Sequence, residues 1–268
     1  MLISRKILNT YLHFWISEET VKQWFRNKNV FFVLSMGRSG TKFLSSLLGG
    51  YQAAYVVHEP LIDDFKAHQQ AFHSEKDAQD YIKQIRLKEI YLRSRKRNIR
   101  AYGEVNSVLR RHSRAIKNEL PHAKLIHLIR DGRNVVRSMM SRWTMTNEDP
   151  NTRIIFPTSD DPWKQKWPEM SRFQKLCWYW WVENDYLSRN IDHHVKFENL
   201  ISDYDYFKTQ LLDKIHLNIP KHKWEEEVNK PKNITKKQSV PHWKEWDSNM
   251  TDQFNEICGD LMKKFGYL

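Results

Sequence analysis

The sequence predicts an α/β fold with a central parallel sheet flanked by helices, and three observations predict it. Val30–Leu34 is a continuous apolar run that breaks at Gly37-Arg38-Ser39-Gly40-Thr41 and resumes as a helix stopped at Gly49 or Gly50. Lys124–Ile129 repeats the pattern: Arg130-Asp131-Gly132-Arg133-Asn134 leads into a helix through Val135, Val136, Met139 and Met140, with Asp131 as N-cap. Elsewhere strand and helix patterns alternate at lengths that suit parallel strands joined by right-handed crossovers. Such a sheet gathers ligands at the carboxyl ends of its strands.

In chain order, residues 1–29 form a helical appendage, with Ser17-Glu18-Glu19 opening a short helix, and residues 30–268 form one domain. Ala54–Val57 is a short strand that ends at His58-Glu59-Pro60, which puts Glu59 at a strand's carboxyl end. Asp77–Asn98 has helical period, Ile99–Val105 alternates as a strand, and Ser107–Glu119 returns to helix before Pro121. Asn147–Pro168 holds four prolines and no period, as a loop does. Gln174–Leu187 is a helix whose Trp178, Tyr179, Trp180 and Trp181 suit a core better than a ligand platform. His194–Phe197 is a final strand. Helices follow at Phe207–Ile215, Lys221–Asn229 and Asp252–Phe265, with a basic loop at Asn229–Val240.

At 268 residues, 40% hydrophobic and 28% charged, the chain has the composition of a globular protein with one large core. Its 44 Lys and Arg exceed 32 Asp and Glu, and the net charge of +12 calls for an anionic partner. Two cysteines, Cys177 and Cys258, exclude a disulfide framework and fit core thiols in a reducing compartment. The longest apolar run near the start, Tyr11–Ile16, is too short for a membrane span, so the expected location is cytoplasmic. A luminal domain trimmed of its anchor has the same composition, and Asn233-Ile234-Thr235 and Asn249-Met250-Thr251 would then be glycosylation acceptors.

The turn at Gly37–Lys42 reads as a phosphate cradle. Its glycines admit close backbone approach, the helix N-terminus presents N–H groups, and Arg38, Ser39, Thr41 and Lys42 add donors and charge. A nucleotide-hydrolase loop places four residues between its glycines, whereas Gly37 and Gly40 are separated by two. The loop therefore serves another phosphate chemistry or a plain tight turn.

Together, GRSGTKFL at Gly37–Leu44 and LIRDGRNVVRS at Leu128–Ser138 resemble the two nucleotide-binding signatures of sulfotransferases that use 3′-phosphoadenylyl sulfate (PAPS). His58-Glu59-Pro60 is similar to the segment after the second strand in carbohydrate and tyrosyl-protein members, and Lys196-Phe197-Glu198-Asn199-Leu200 to a further family segment. Trp243-Lys244, Cys258-Gly259 and Gly266-Tyr267 are like the tail of bacterial and Golgi-type members. Lys42 stands where Thr or Ser is usual, Gly132 where Pro is common, and Gly103–Ser107 lacks a Lys-Thr-Pro.

The resemblance implies a P-loop-like three-layer fold and metal-independent transfer of a sulfuryl group from PAPS to an acceptor hydroxyl, such as a carbohydrate's, leaving the bisphosphate product PAP. It implies that Gly37, Arg38, Ser39, Gly40, Thr41 and Lys42 hold the 5′-phosphosulfate and that Arg130 and Ser138, eight positions apart, hold the 3′-phosphate. Arg38 would stabilise the leaving oxygen, and Phe43 would stack on adenine or sit in the core. Glu59 is the expected general base and His58 its rival, because neighbours on a strand point to opposite faces and only one can reach the site. The expected partners are a nucleotide and an acceptor, not nucleic acid. A P-loop kinase would need the longer glycine spacing and magnesium. A basic glycan- or nucleic-acid-binding module would rest on the net charge and the run Arg93–Arg100.

Overall fold

The computed structural model describes residues 15–50, 54–230 and 240–268. Most of the basic loop expected at Asn229–Val240 lies outside them. Helix α1 (Glu18–Arg26) starts at Ser17, whose hydroxyl accepts the N–H of Thr20 at 3.2 Å, and leads into strand β1 (Asn29–Ser35). After β1 come α2 (Thr41–Gly49), β2 (Ala54–His58) and α3 (Asp63–His73). A longer helical stretch follows as α4 (Glu75–Asp80), a π-helical segment Tyr81–Arg86 and α5 (Leu87–Ser94). Then come β3 (Ala101–Asn106), α6 (Ser113–Glu119), β4 (Lys124–Ile129), α7 (Gly132–Met140), α8 (Arg172–Asn190) and β5 (His194–Lys196). The remaining longer helices are α9 (Phe197–Ser202), a continuous helical stretch from Tyr204 to Ile215 that is π-helical over Phe207–Leu212, α10 (Lys221–Val228) and α11 (Ser248–Lys264).

The five strands are all parallel, in the order β2-β3-β1-β4-β5. β1 lies in the middle, buried along all but its first residue, which is why its sequence runs apolar without alternation. Its side chains nevertheless part to two faces. Phe31 and Val33 pack with Leu44, Leu47 and Leu48 of α2 and with Leu211 and Leu212. Phe32 and Leu34 pack with Phe25 of α1, Ile82, Ile90 and Ile116. Helices therefore cover both faces of the sheet, making three layers. Each large side chain so buried contributes roughly 1.5–3 kcal/mol.

Beside β1, Gly103 sits opposite Phe31, and a Cβ there would come within 2.0 Å of that ring. This close approach explains why β3 carries a glycine in mid-strand.

A third cluster lies past the carboxyl ends of β1 and β4. Trp178 and Trp180 of α8 are fully buried in it with Met36, Val135, Met139, Phe254 and Ile257, so the Trp-rich helix is core. α8 begins with a capping box between Ser171 and Gln174.

The segment expected to be helical from Ser107 instead enters through a 3₁₀ turn, Leu109–His112. Asn106 dictates this: its side-chain oxygen accepts the N–H groups of Val108 (2.6 Å) and Leu109 (2.9 Å), holding the chain in a turn just past β3.

Candidate active site

The carboxyl ends of β1, β2, β3 and β4 bring together Arg38, Glu59, Ser107 and Arg130. After β1 the loop takes two left-handed residues, Arg38 at φ 73° and Gly40 at φ 88°. Left-handed steps in such a turn aim successive N–H groups into a concave nest, and the first N–H groups of α2, which have no intrahelical acceptors, open onto it. Only glycine fits at position 40, because a Cβ would fall 2.1 Å from the Phe197 ring. Ser39 and Thr41 are buried, and Lys42 is exposed. Phe43 is half-buried, its ring edge-on to Phe197 at 6.0 Å.

Two bonds tie this loop to the second signature. Arg38 Nε donates to Ser138 Oγ at 2.9 Å, and Arg130 Nη1 donates to the Arg38 carbonyl at 2.8 Å. Among the described residues Arg38 has no carboxylate within ion-pair distance. Burial, then repulsion from Arg142 and Arg130, holds its guanidinium below the usual range.

Arg130 is in a similar position. Burial lowers it, opposed by Glu198 and Asp131, but its Nε has no hydrogen-bond partner and lies 4.0 Å from Glu198 Oε1. Glu198 is engaged elsewhere: Oε1 accepts the Asp131 N–H at 3.1 Å and Oε2 the Tyr267 hydroxyl at 2.8 Å. Asp131 caps α7 as its position suggested, accepting the N–H of Arg133 at 2.9 Å. The result is a partly buried cationic concavity built from two loops. Its chemistry suits an anion carrying more than one charged group.

On the other side of the loop, both His58 and Glu59 reach the site, and this corrects the expectation that only one could. Strand alternation fails here because Glu59 leaves β2 in a left-handed conformation, φ 42°. His58 Nε2 meets Thr41 Oγ1 at 3.0 Å, while Glu59 Oε1 accepts the Ser107 N–H at 3.0 Å and the Ser107 hydroxyl. Glu59 Oε2 has no partner among the described residues. Ser107 is held in turn, its carbonyl accepting from Arg110 Nη1. Arg110 is buried against Glu183, with Nη2 to Oε1 at 3.0 Å.

Ser107 and Arg142 were not among the residues the sequence singled out. Ser107 follows β3 directly, so the rule that ligands collect at strand carboxyl ends points to it. Arg142 stands four residues beyond Ser138, about one helical turn.

The stretch 31–221 matches the family model described as Sulfotransferase family. Among solved structures, a sulfotransferase from Alicyclobacillus acidocaldarius aligns with 87% of this chain and 94% of its own length, at 13% identity and a TM-score of 0.49. The sulfotransferase domain from the curacin biosynthetic pathway aligns with 87% and 97%, at 13% identity and a TM-score of 0.48. No curated protein sequence matches the chain. Since the family match spans most of the chain, including both loops that form the cationic concavity, the chain belongs to the sulfotransferase family.

Proposed function

We propose that this protein transfers a sulfuryl group from PAPS to an acceptor hydroxyl, with Glu59 as general base and a carbohydrate as the first acceptor class to test. The observation that carries the reading is the meeting of Arg38 and Arg130 across the two loops, with Arg142 near enough to repel Arg38, where Arg38 has no carboxylate partner among the described residues and Arg130 keeps an orphaned Nε. PAPS fits that chemistry, since its phosphates would supply the missing negative charge and its phosphosulfate the activated group. Gly37, Arg38, Ser39, Gly40, Thr41 and Lys42 would hold the 5′ end, Arg130 and Ser138 the 3′-phosphate, and the exposed part of the Phe43 ring would meet adenine.

In the transfer, the sulfur–oxygen bond to the leaving phosphate breaks as one to the acceptor oxygen forms. The acceptor proton passes to Glu59 Oε2, the oxygen that Ser107 leaves free. Arg38 donates to the phosphate oxygen as charge develops on it. His58, tied to Thr41, positions the loop. Trp143, exposed beside Arg142, offers a ring face to a sugar.

Titration with PAP, without magnesium, tests the donor. Saturable binding to the wild type, weakened in Arg130→Ala and Ser138→Ala, is expected, and a screen of hydroxyl acceptors then follows. A wild type that does not bind PAP overturns the reading.

A further inference from the structure

The basic run Arg93–Arg100 does not open onto the concavity. It joins the end of α5 to the start of β3, so it lies at the amino ends of the strands, opposite the loops just described. β1 has seven residues, which at about 3.3 Å each places the two ends roughly 20 Å apart. A small acceptor seated beside Glu59 cannot touch it.

Several segments supply cations to this end of the molecule. Arg95, Lys96, Arg97 and Arg100 are exposed, Lys28 immediately precedes β1, and Lys214 neighbours Ile215, whose carbonyl accepts from Asn29 Nδ2 at 2.6 Å. Among the described residues none of the six has an ion-pair partner. The carboxylates of the two helices leading here are already matched: Glu18 with Lys83 (3.7 Å), Glu19 with Arg26 (2.9 Å) and Glu89 with Arg93 (3.2 Å). Asp213, beside Lys214, is matched with Lys208 (3.1 Å) and Asp192, ahead of β5, with Lys117 (3.7 Å), so the surplus is positive.

Three of these cations rest on aromatic rings, Lys28 over Trp24 (5.1 Å), Arg95 over Tyr91 (5.8 Å) and Arg97 over Tyr55 (4.0 Å). Trp24 and Tyr91 also meet edge to face at 6.1 Å. The six cations come from three separate segments, the ends of α1 and α5 with the chain that follows them and the chain around Ile215, so the charge is not confined to one stretch of sequence.

We propose that this face docks on an anionic lipid surface. Clustered Lys and Arg attract acidic headgroups by about 1 kcal/mol each, and a broad face engages several at once. Docked in this way, the protein would turn the carboxyl ends of its strands, and the concavity they carry, away from the bilayer toward solution. Membrane docking and catalysis would then be separable.

The test is sedimentation with phosphatidylcholine vesicles with and without phosphatidylserine, at low and high salt. The proposal expects binding only to the phosphatidylserine vesicles and release by high salt. Lys96→Gln/Arg100→Gln/Lys214→Gln, which spares the cations stacked on rings, should weaken that binding roughly tenfold or more while leaving PAP affinity unchanged. Equal binding to both vesicle types, or undiminished binding by the triple variant, overturns it. Binding to heparin without binding to vesicles also overturns it, in favour of a soluble polyanion. Loss of PAP affinity in the triple variant would refute the separation of this face from the concavity. Because vesicle binding is read without turnover, the proposal stands or falls independently of the sulfuryl-transfer reading.

Discussion

The Arg38 side chain donates from Nε to Ser138 Oγ at 2.9 Å, across 100 residues of sequence, while its backbone carbonyl accepts from Arg130 at 2.8 Å. One residue thus couples the loop after β1 to both Arg130 and Ser138 of the segment after β4. It does so from a left-handed backbone, which costs about 1–2 kcal/mol for a residue with a Cβ. Because Arg38 and Ser138 share a bond, their contributions to PAP binding should not add. Each alanine substitution alone should weaken PAP by roughly 1–2 kcal/mol, and the double variant should lose about 1 kcal/mol less than the sum. Calorimetric titration of the four proteins measures this coupling. Strict additivity would mean that the bond plays no part in binding.

Glu59 and Ser107 yield a prediction that separates chemistry from affinity. The two donors on Oε1 fix the carboxylate and leave Oε2 without a partner among the described residues. Glu59→Ala should cost about 10²–10⁴ in turnover with little change in PAP affinity. Ser107→Ala should lower turnover by a smaller factor, and Ser107→Thr, which keeps the hydroxyl, should recover most of it. His58→Asn should act chiefly on PAP affinity through Thr41. Near-normal turnover by Glu59→Ala would transfer the base role away from that residue.

The fold was legible where local patterning and burial agree. β1 and β4 are apolar runs because both faces are covered, and each is followed by a polar turn and a helix, the second one capped by Asp131, so sequence and structure coincide there almost residue for residue. Helix α3 was not legible. Its buried side includes Asp64 and His68, polar residues bonded to distant partners. Asp64 bonds Arg86 Nε at 2.8 Å, and His68 accepts from Arg110 at 2.8 Å. Periodicity searches for apolar positions, so a helix that buries charge in ion pairs escapes them. Around the concavity, the loop pattern singled out Arg38, the strand end together with the family resemblance Glu59, and the resemblance alone Arg130 and Ser138. The handedness of Glu59 and the Ser107 contact that follows from it depend on tertiary structure, which strand alternation cannot anticipate.

Buried histidines supply the third prediction, on stability. His68 and His127 are pushed down to about 4 and His112 to about 3, in each case chiefly by burial. Burial, outweighing the bond to Asn184, keeps His127 neutral, and that bond fixes its tautomer: Nε2 donates to Asn184 Oδ1 at 3.0 Å, since Asn184 Nδ2 is used on the Trp180 carbonyl at 2.7 Å, and Nδ1 is buried without a partner. In the unfolded chain these rings protonate near pH 6.5, so between that pH and about 4 the unfolded state binds more protons, and stability falls as pH falls.

Each ring contributes a slope of about 1.4 kcal/mol per pH unit in that window. Glu104, raised by burial against the pull of Arg86, has the opposite sign. Glu183 is also buried, but Arg110 and Arg111 outweigh that burial and hold it low, so its contribution is lost only below the carboxylate range. The informative quantity is therefore the difference between wild type and His127→Gln, which retains a donor toward Asn184 but cannot titrate. Urea unfolding at pH 7 and pH 5 should show the wild type losing about 2 kcal/mol more than the variant over this interval. Equal losses in the two proteins would mean that His127 is not held neutral in the folded state.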